Sequence, residues 1–198
     1  AAALVTGIGF IAWELRTPAP MLSLKLFSNR VFSGASVVTF IFGAGIYGST
    51  YLVPLFVQTV QGYSPTQAGL ILMPAGLVLA VVFPIAGRLT DRTPAHLTIT
   101  FGLIVFALSS LLLSGADADT SFWVMAGWIV IGRIGLGFVM PSLNAGALKA
   151  LTFTQIGQGS GAINFMRQLG GAFGVNLLSI LLERRSEHYV QAFTDAQD

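Results

Sequence analysis

The chain has 198 residues, of which 54% are hydrophobic and only 9% charged, with 23 glycines, no cysteine and a formal net charge of +2. A composition this apolar excludes an ordinary water-soluble domain, and the lack of cysteine excludes disulfides and thiolate metal sites. The small positive excess sits in loop arginines, so it reports on membrane topology and points to no nucleic-acid partner.

Ala1 to Trp13 is apolar but too short to cross a bilayer, and it lacks the charged start and cleavage site of a signal peptide. It reads as the end of a span that begins upstream, which makes 1–30 the close of that span plus a cytoplasmic linker. Within the linker, Pro18 to Leu26 reads either as plain linker or as an amphipathic segment on the membrane surface, with Leu22, Leu24, Leu26 and Phe27 touching lipid. From Val31 to Gly87 there is no Asp, Glu, Lys or Arg, and only the polar turn from Gln61 to Gln67 interrupts the run. That is a membrane hairpin, because about 20 apolar helical residues cross roughly 30 Å of hydrocarbon.

Five complete spans are predicted, at 31–60, 65–87, 97–114, 121–148 and 159–182, giving an all-α polytopic membrane helix bundle. The connections alternate in charge. Arg16, Lys25 and Arg30 precede the first full span, Arg88 and Arg92 follow the second, and Lys149 follows the fourth, whereas the opposite connections carry no Lys or Arg and one holds Asp117 and Asp119. The positive-inside rule puts the first set in the cytoplasm and the tail 183–198 outside, with Arg184 and Arg185 dissenting. An odd number of whole spans implies that another follows, so the chain is expected to be a fragment of a multi-pass protein of the cell (inner) membrane.

Polar groups inside spans are the place to look for function, since each needs a partner in hydrocarbon. Ser36, Thr39, Gly43, Tyr47, Thr50, Pro54 and Gln58 recur every three or four residues along one helical face. This face either lines a water-filled cavity or packs helix on helix, and Tyr47 and Gln58 are the hardest to explain by packing. In the fourth span Arg133 is followed on the same side by Gly137, Met140 and Asn144. All eight acids lie in connections or near span ends, so either a missing half supplies a carboxylate to Arg133 or backbone carbonyls and water satisfy it. The fifth span carries Ser160, Asn164, Arg167, Gln168 and Gly171 as a second stripe, and Gly157, Gly161, Gly170 and Gly174 form small-xxx-small pairs suited to close packing. Arg167 lies roughly 13 Å from the cytoplasmic start of its helix, near enough to reach partly toward that surface.

Apparent enzyme motifs fail on context. Gly43, Gly45 and Gly48 spell GxGxxG without a preceding strand or a nearby acid, Ser160 sits between Gly159 and Gly161 but has Gln158 and Ala162 at the two positions where a nucleophile elbow needs glycine, and His96 and His188 have no ligand cluster around them. No catalytic residue, metal or cofactor is expected.

The turn Gly87, Arg88, Leu89, Thr90, Asp91, Arg92 resembles the GxxxDR loop signature of the major facilitator superfamily, with Asp91 placed to cap the following helix and Arg88 and Arg92 holding the loop in the cytoplasm. Pro94 and His96 depart from the family pattern, as suits its weaker second copy. In order and spacing, LFSNRVF at Leu26 to Phe32, YLVPLFVQTVQGYSPTQAGLILMPAG at Tyr51 to Gly76, PIAGRLTDR at Pro84 to Arg92, GRIGLGFVMP at Gly132 to Pro141 and GSGAINFMRQLGGAFG at Gly159 to Gly174 resemble the C-terminal half of the fourteen-span drug:proton antiporters of the EmrB/QacA type. By that resemblance the chain is a partial major facilitator fold, its five spans are helices seven to eleven of the twelve-helix core, and helix twelve is absent. Arg133 with Gly137 is also similar to the RxxxG pattern of the N-terminal half, where the arginine is linked to proton movement.

The resemblance implies proton-coupled efflux of lipophilic or cationic drugs by alternating access, with membrane lipid, a small-molecule substrate, protons and the missing N-terminal half as partners. Tyr47, Thr50, Gln58, Asn144, Asn164 and Gln168 would form one cavity wall, with fixed charge at Arg133 and Arg167; Arg133 would tune a proton site across the domain interface. A transporter of another solute, such as a sugar, amino acid or siderophore, is the nearest alternative, and a membrane sensor or scaffold the alternative from another class.

Overall fold

The computed structural model describes Gly9 and residues 24–195, with side chains placed from Leu26 to Arg185. The expectations for 1–13, Gly9 apart, and for the side chains of Leu22 and Leu24 therefore lie outside the described residues. A short 3-10 turn, Leu24–Ser28, leads into five helices: α1 (Arg30–Thr59), α2 (Pro65–Arg92), α3 (Ala95–Ser114), α4 (Phe122–Lys149) and α5 (Ile156–Asp195), with a second 3-10 turn, Phe153–Gln155, before the last. Among the described residues, five helices are long and apolar enough to cross a membrane.

Local chemistry starts these helices. The Asn29 side chain accepts hydrogen bonds from the backbone N–H of Val31 (2.9 Å) and Phe32 (3.2 Å), meeting two of the amides that a helix start leaves unpaired. Ser64 and Gln67 form a reciprocal capping box with Pro65 in the first helical position. The turn between α1 and α2 closes through Gly62, whose φ of 68° favours glycine. Ser64→Ala is expected to lower stability by about 1 kcal/mol and Ser64→Gly by only a few tenths. The melting temperatures of the detergent-solubilised variants check this ranking.

Four expectations need correction. α2 runs to Arg92 instead of stopping at 87, so Gly87, Arg88, Asp91 and Arg92 occupy its last turns and are not a loop. The stop comes from Pro94, which forces Thr93 out of the helical region to φ −121°, ψ 152°. Asp91 accordingly does not cap α3: a cap must sit in extended backbone just before the helix, and that position belongs to Pro94, which makes no side-chain hydrogen bond. α5 continues without a break past 182, reaching 40 residues or roughly 60 Å, because no Gly or Pro after Gly174 interrupts it. Residues 183–195 thus prolong the helix. Leu26, finally, does not touch lipid. It is 1% exposed in a cluster with Phe32, Ala147, Ala162 and Ile163, and Phe27 packs edge-on against the Phe32 ring at 5.5 Å.

Helices that are neighbours in sequence are not always neighbours in space: α1 lies chiefly on α5, and α4 chiefly on α3 and α2. Glycines set both close crossings. A Cβ on Gly43 would strike the Arg167 carbonyl and one on Gly170 the Phe40 carbonyl, while Gly174 sits against Ala44. On the other side, Gly102 and Gly135 each face the other's carbonyl oxygen, and Gly132 faces Ser109. Lipid tails are as apolar as leucine, so such backbone proximity and interhelical hydrogen bonds must supply helix association. Two of those bonds are Thr90 Oγ1 to Ser142 Oγ at 2.8 Å between α2 and α4, and Ser109 Oγ to the Trp128 carbonyl at 2.6 Å between α3 and α4.

The connections meet in two sets. Gln61 Nε2 donates to the carbonyls of Asp117 and Thr120, both at 3.0 Å, joining the α1–α2 and α3–α4 turns, and Asn29 Nδ2 donates to the Ala150 carbonyl at 2.9 Å, joining the start of α1 to the α4–α5 turn. This is the alternation that the charge pattern requires. Outward, α3 exposes Leu97, Phe101, Ile104, Leu108 and Leu111 at spacings of four and three, a stripe suited to lipid.

Candidate functional site: a polar wall across three helices

The stripe on α1 divides near its middle. Ser36 and Thr39 are buried and donate to the Phe32 and Ala35 carbonyls of their own helix at 2.8 and 2.7 Å, and Gly43 is closed off by α5. These three pack. From Tyr47 onward the face opens: Tyr47 is 43% exposed, Thr50 and Gln58 are exposed, and Pro54 is half-buried. Gln58 Nε2 donates to the Pro54 carbonyl at 3.1 Å within the helix.

On α5, Gly171 is buried beneath the Tyr47 ring, which leaves no room there for a Cβ. Tyr47, Gln168, Gly171, Ala172 and Val175 then border an open recess of about 350 Å³ between α1 and α5, with the Gln168 amide exposed at its edge. An aromatic ring next to an uncommitted amide offers a flat apolar surface and a hydrogen-bonding edge, the mixture that small-molecule sites use. One turn toward the start of α5, Arg167 Nη2 donates to Asn164 Oδ1 at 2.7 Å, and both side chains are half-buried. Gly157 and Gly161, expected to pack, meet nothing within 4 Å; only Gly170 and Gly174 of that set do.

On α4, Arg133, Met140 and Asn144 are half-buried as their shared face predicts, but Gly137 turns into α2 against Val82 and Leu79. Arg133 finds a partner in this chain. Its Nη2 donates to Thr50 Oγ1 of α1 at 2.7 Å, across 83 residues of sequence. One of the guanidinium's five N–H donors is thereby paired, while the charge is not, since the acceptor is a neutral hydroxyl. Asn144 makes no such bond among the described residues.

A second recess of about 360 Å³, not foreseen from the sequence, lies between α1, α3 and α4 and is lined by Val53, Phe56, Leu113 and Met125, with Ser110 at its wall and Leu182 of α5 at its edge. Its residues come from four helices, so no local pattern announces it. Among the described residues no three of His, Cys, Asp or Glu converge on a metal-sized site.

Residues 2–175 fit the sequence profile of the Major Facilitator Superfamily. The chain belongs to the Major Facilitator Superfamily. Among the relatives of this major facilitator chain are the multidrug transporter protein MdtP of Bacillus subtilis, 31% identical over 186 residues covering 94% of this chain and 34% of the relative, and the multidrug resistance protein B homolog of Mycobacterium tuberculosis, 30% identical over 192 residues covering 93% and 35%. The colistin resistance protein EmrB of Acinetobacter baumannii is 28% identical over 184 residues, covering 91% and 35%. The chain thus spans about a third of the length of these relatives. With five helices long and apolar enough to span a bilayer among the described residues, it is a multi-pass membrane protein of that superfamily.

Proposed function

We propose that this chain is the C-terminal part of a transporter that exports lipophilic, often cationic compounds from the cytoplasm, driven by inward proton movement and working by alternating access at the inner membrane. The observation that carries the reading is Arg133, a guanidinium inside an apolar span whose side-chain partner in this chain is a neutral hydroxyl. A charge at that depth costs from about 2.5 to over 10 kcal/mol, and such residues mark ion and substrate pathways. The names of the relatives, multidrug transporter and resistance proteins, support a drug-like substrate class.

In this reading Tyr47 and Gln168 contribute an aromatic face and an amide to the substrate cavity, with Thr50, Gln58, Asn144 and Asn164 along the same wall. Arg133 and Arg167 hold fixed positive charge facing the other half of the transporter, whose carboxylates take up protons and attract cations. Arg133 favours the ionised form of a carboxylate brought opposite it. The positive connections around Arg30, Arg88, Arg92 and Lys149 lie in the cytoplasm by the positive-inside rule, and α5 carries the chain out beyond 182. Cells expressing the full-length transporter should extrude a fluorescent lipophilic cation, and extrusion should collapse when a protonophore is added. Extrusion that persists after the proton gradient is dissipated would remove proton coupling from the proposal.

A further inference from the structure

The Arg133 contact has a built geometry on the α1 side. The Thr50 hydroxyl hydrogen goes to the Ile46 carbonyl at 2.6 Å, which leaves the oxygen lone pairs free to receive Arg133 Nη2 at 2.7 Å. A threonine has few χ1 choices in a helix, and its bond to the i−4 carbonyl selects one of them, so the acceptor is fixed before the guanidinium arrives. Thr50 is exposed and therefore not needed to fill space. Among the described residues its hydroxyl makes the one side-chain hydrogen bond between α1 and α4.

The same turn of α1 is its weakest. Pro54 has no N–H to offer the Thr50 carbonyl, and Ser49 Oγ shares the Ile46 carbonyl with Thr50 at 3.0 Å, so side-chain bonds converge where the backbone ladder is interrupted. A guanidinium anchored here touches α1 at the point where that helix bends most easily.

We infer that Thr50 is a positioning residue for Arg133: its hydroxyl, aimed by the Ile46 carbonyl, holds the guanidinium at the Pro54-weakened turn of α1, so that what happens at Arg133 is passed to the bend of that helix. The inference deepens the transport reading above and rests on it.

A double-mutant cycle in the full-length transporter tests it, with initial rates of dye efflux normalised to protein in the membrane. Thr50→Val keeps the branched shape and deletes the hydroxyl. It should lower maximal efflux about tenfold, the scale of one hydrogen bond to a charged group, and change apparent KM by less than about twofold. Thr50→Ser, which keeps the oxygen, should restore most of that rate. Thr50→Val combined with Arg133→Gln should be no slower than Arg133→Gln alone, because both remove the same link. If Thr50→Val fails to accumulate in the membrane, Thr50→Ala supplies the same comparison. Wild-type efflux from the valine or alanine variant, or losses that multiply in the double variant, would overturn the inference. Impaired Arg133→Gln beside an active Thr50→Val sinks the positioning role alone and leaves the transport reading standing, whereas a wild-type chain that exports no dye sinks the latter.

Discussion

Gly170→Ala should destabilise the bundle by about 2 to 3 kcal/mol, and Gly170→Leu should prevent its assembly. A single added methyl is enough because of what it meets. The Cβ would be driven into the Phe40 carbonyl, a backbone atom that can retreat only if α1 and α5 separate. Separation costs more than this one contact, since Gly43 against the Arg167 carbonyl and Gly174 against Ala44 share the crossing, and close backbone approach is what holds membrane helices together. Gly161→Ala is the matched control: nothing lies within 4 Å of that position, so the same methyl should be neutral or slightly stabilising through helix propensity. Thermal unfolding of the purified variants in detergent decides the matter, and equal melting temperatures for the two alanine variants would refute the packing assigned to α1 and α5.

Arg133→Ala should separate stability from function. In the full-length transporter it should reduce efflux at least about tenfold, a scale consistent with losing a hydrogen bond to a charged group, and should alter the pH dependence of what remains. Thermal stability should hold or rise, because an expensive charge leaves the membrane interior and the Thr50 hydroxyl keeps its bond to the Ile46 carbonyl. A residue kept for structure would show the reverse, with stability falling and transport following it. Arg133→Lys should recover only part of the activity, since an ammonium lacks the planar fork that can hold Thr50 with one nitrogen and present others elsewhere. Efflux with unchanged rate and pH profile in Arg133→Ala would end the coupling role proposed for this residue.

Much of the fold was readable before any coordinates. Hydropathy is a local property, so the five spans and the polar turn at Gln61 to Gln67 could be placed from short stretches of sequence. Boundaries failed where a neighbouring residue, and not the apolar pattern, set the limit: α2 ran on until Pro94 stopped it after Arg92, and the lack of any breaker carried α5 past 182. The polar stripe on α1 was correctly placed on one face, yet its two halves have different fates. Ser36, Thr39 and Gly43 are covered because α5 crosses there; Tyr47, Thr50 and Gln58 stay open. Gly157, Gly161 and Gly137 show the same limit, since spacing fixes the face of a helix but not which helix faces it.

By itself the sequence determined that this is a membrane protein of five apolar helices with alternating charged connections, because length, hydropathy and caps act within a turn or two of each residue. It also determined that two arginines enter the spans without acids beside them. Only the tertiary structure decided that Arg133 meets Thr50, that Tyr47 lies over Gly171, and which glycines bring backbones together. Those facts depend on the rotation and crossing of helices far apart in the chain, and such angles are set by the sum of all contacts between helices, which no local pattern encodes.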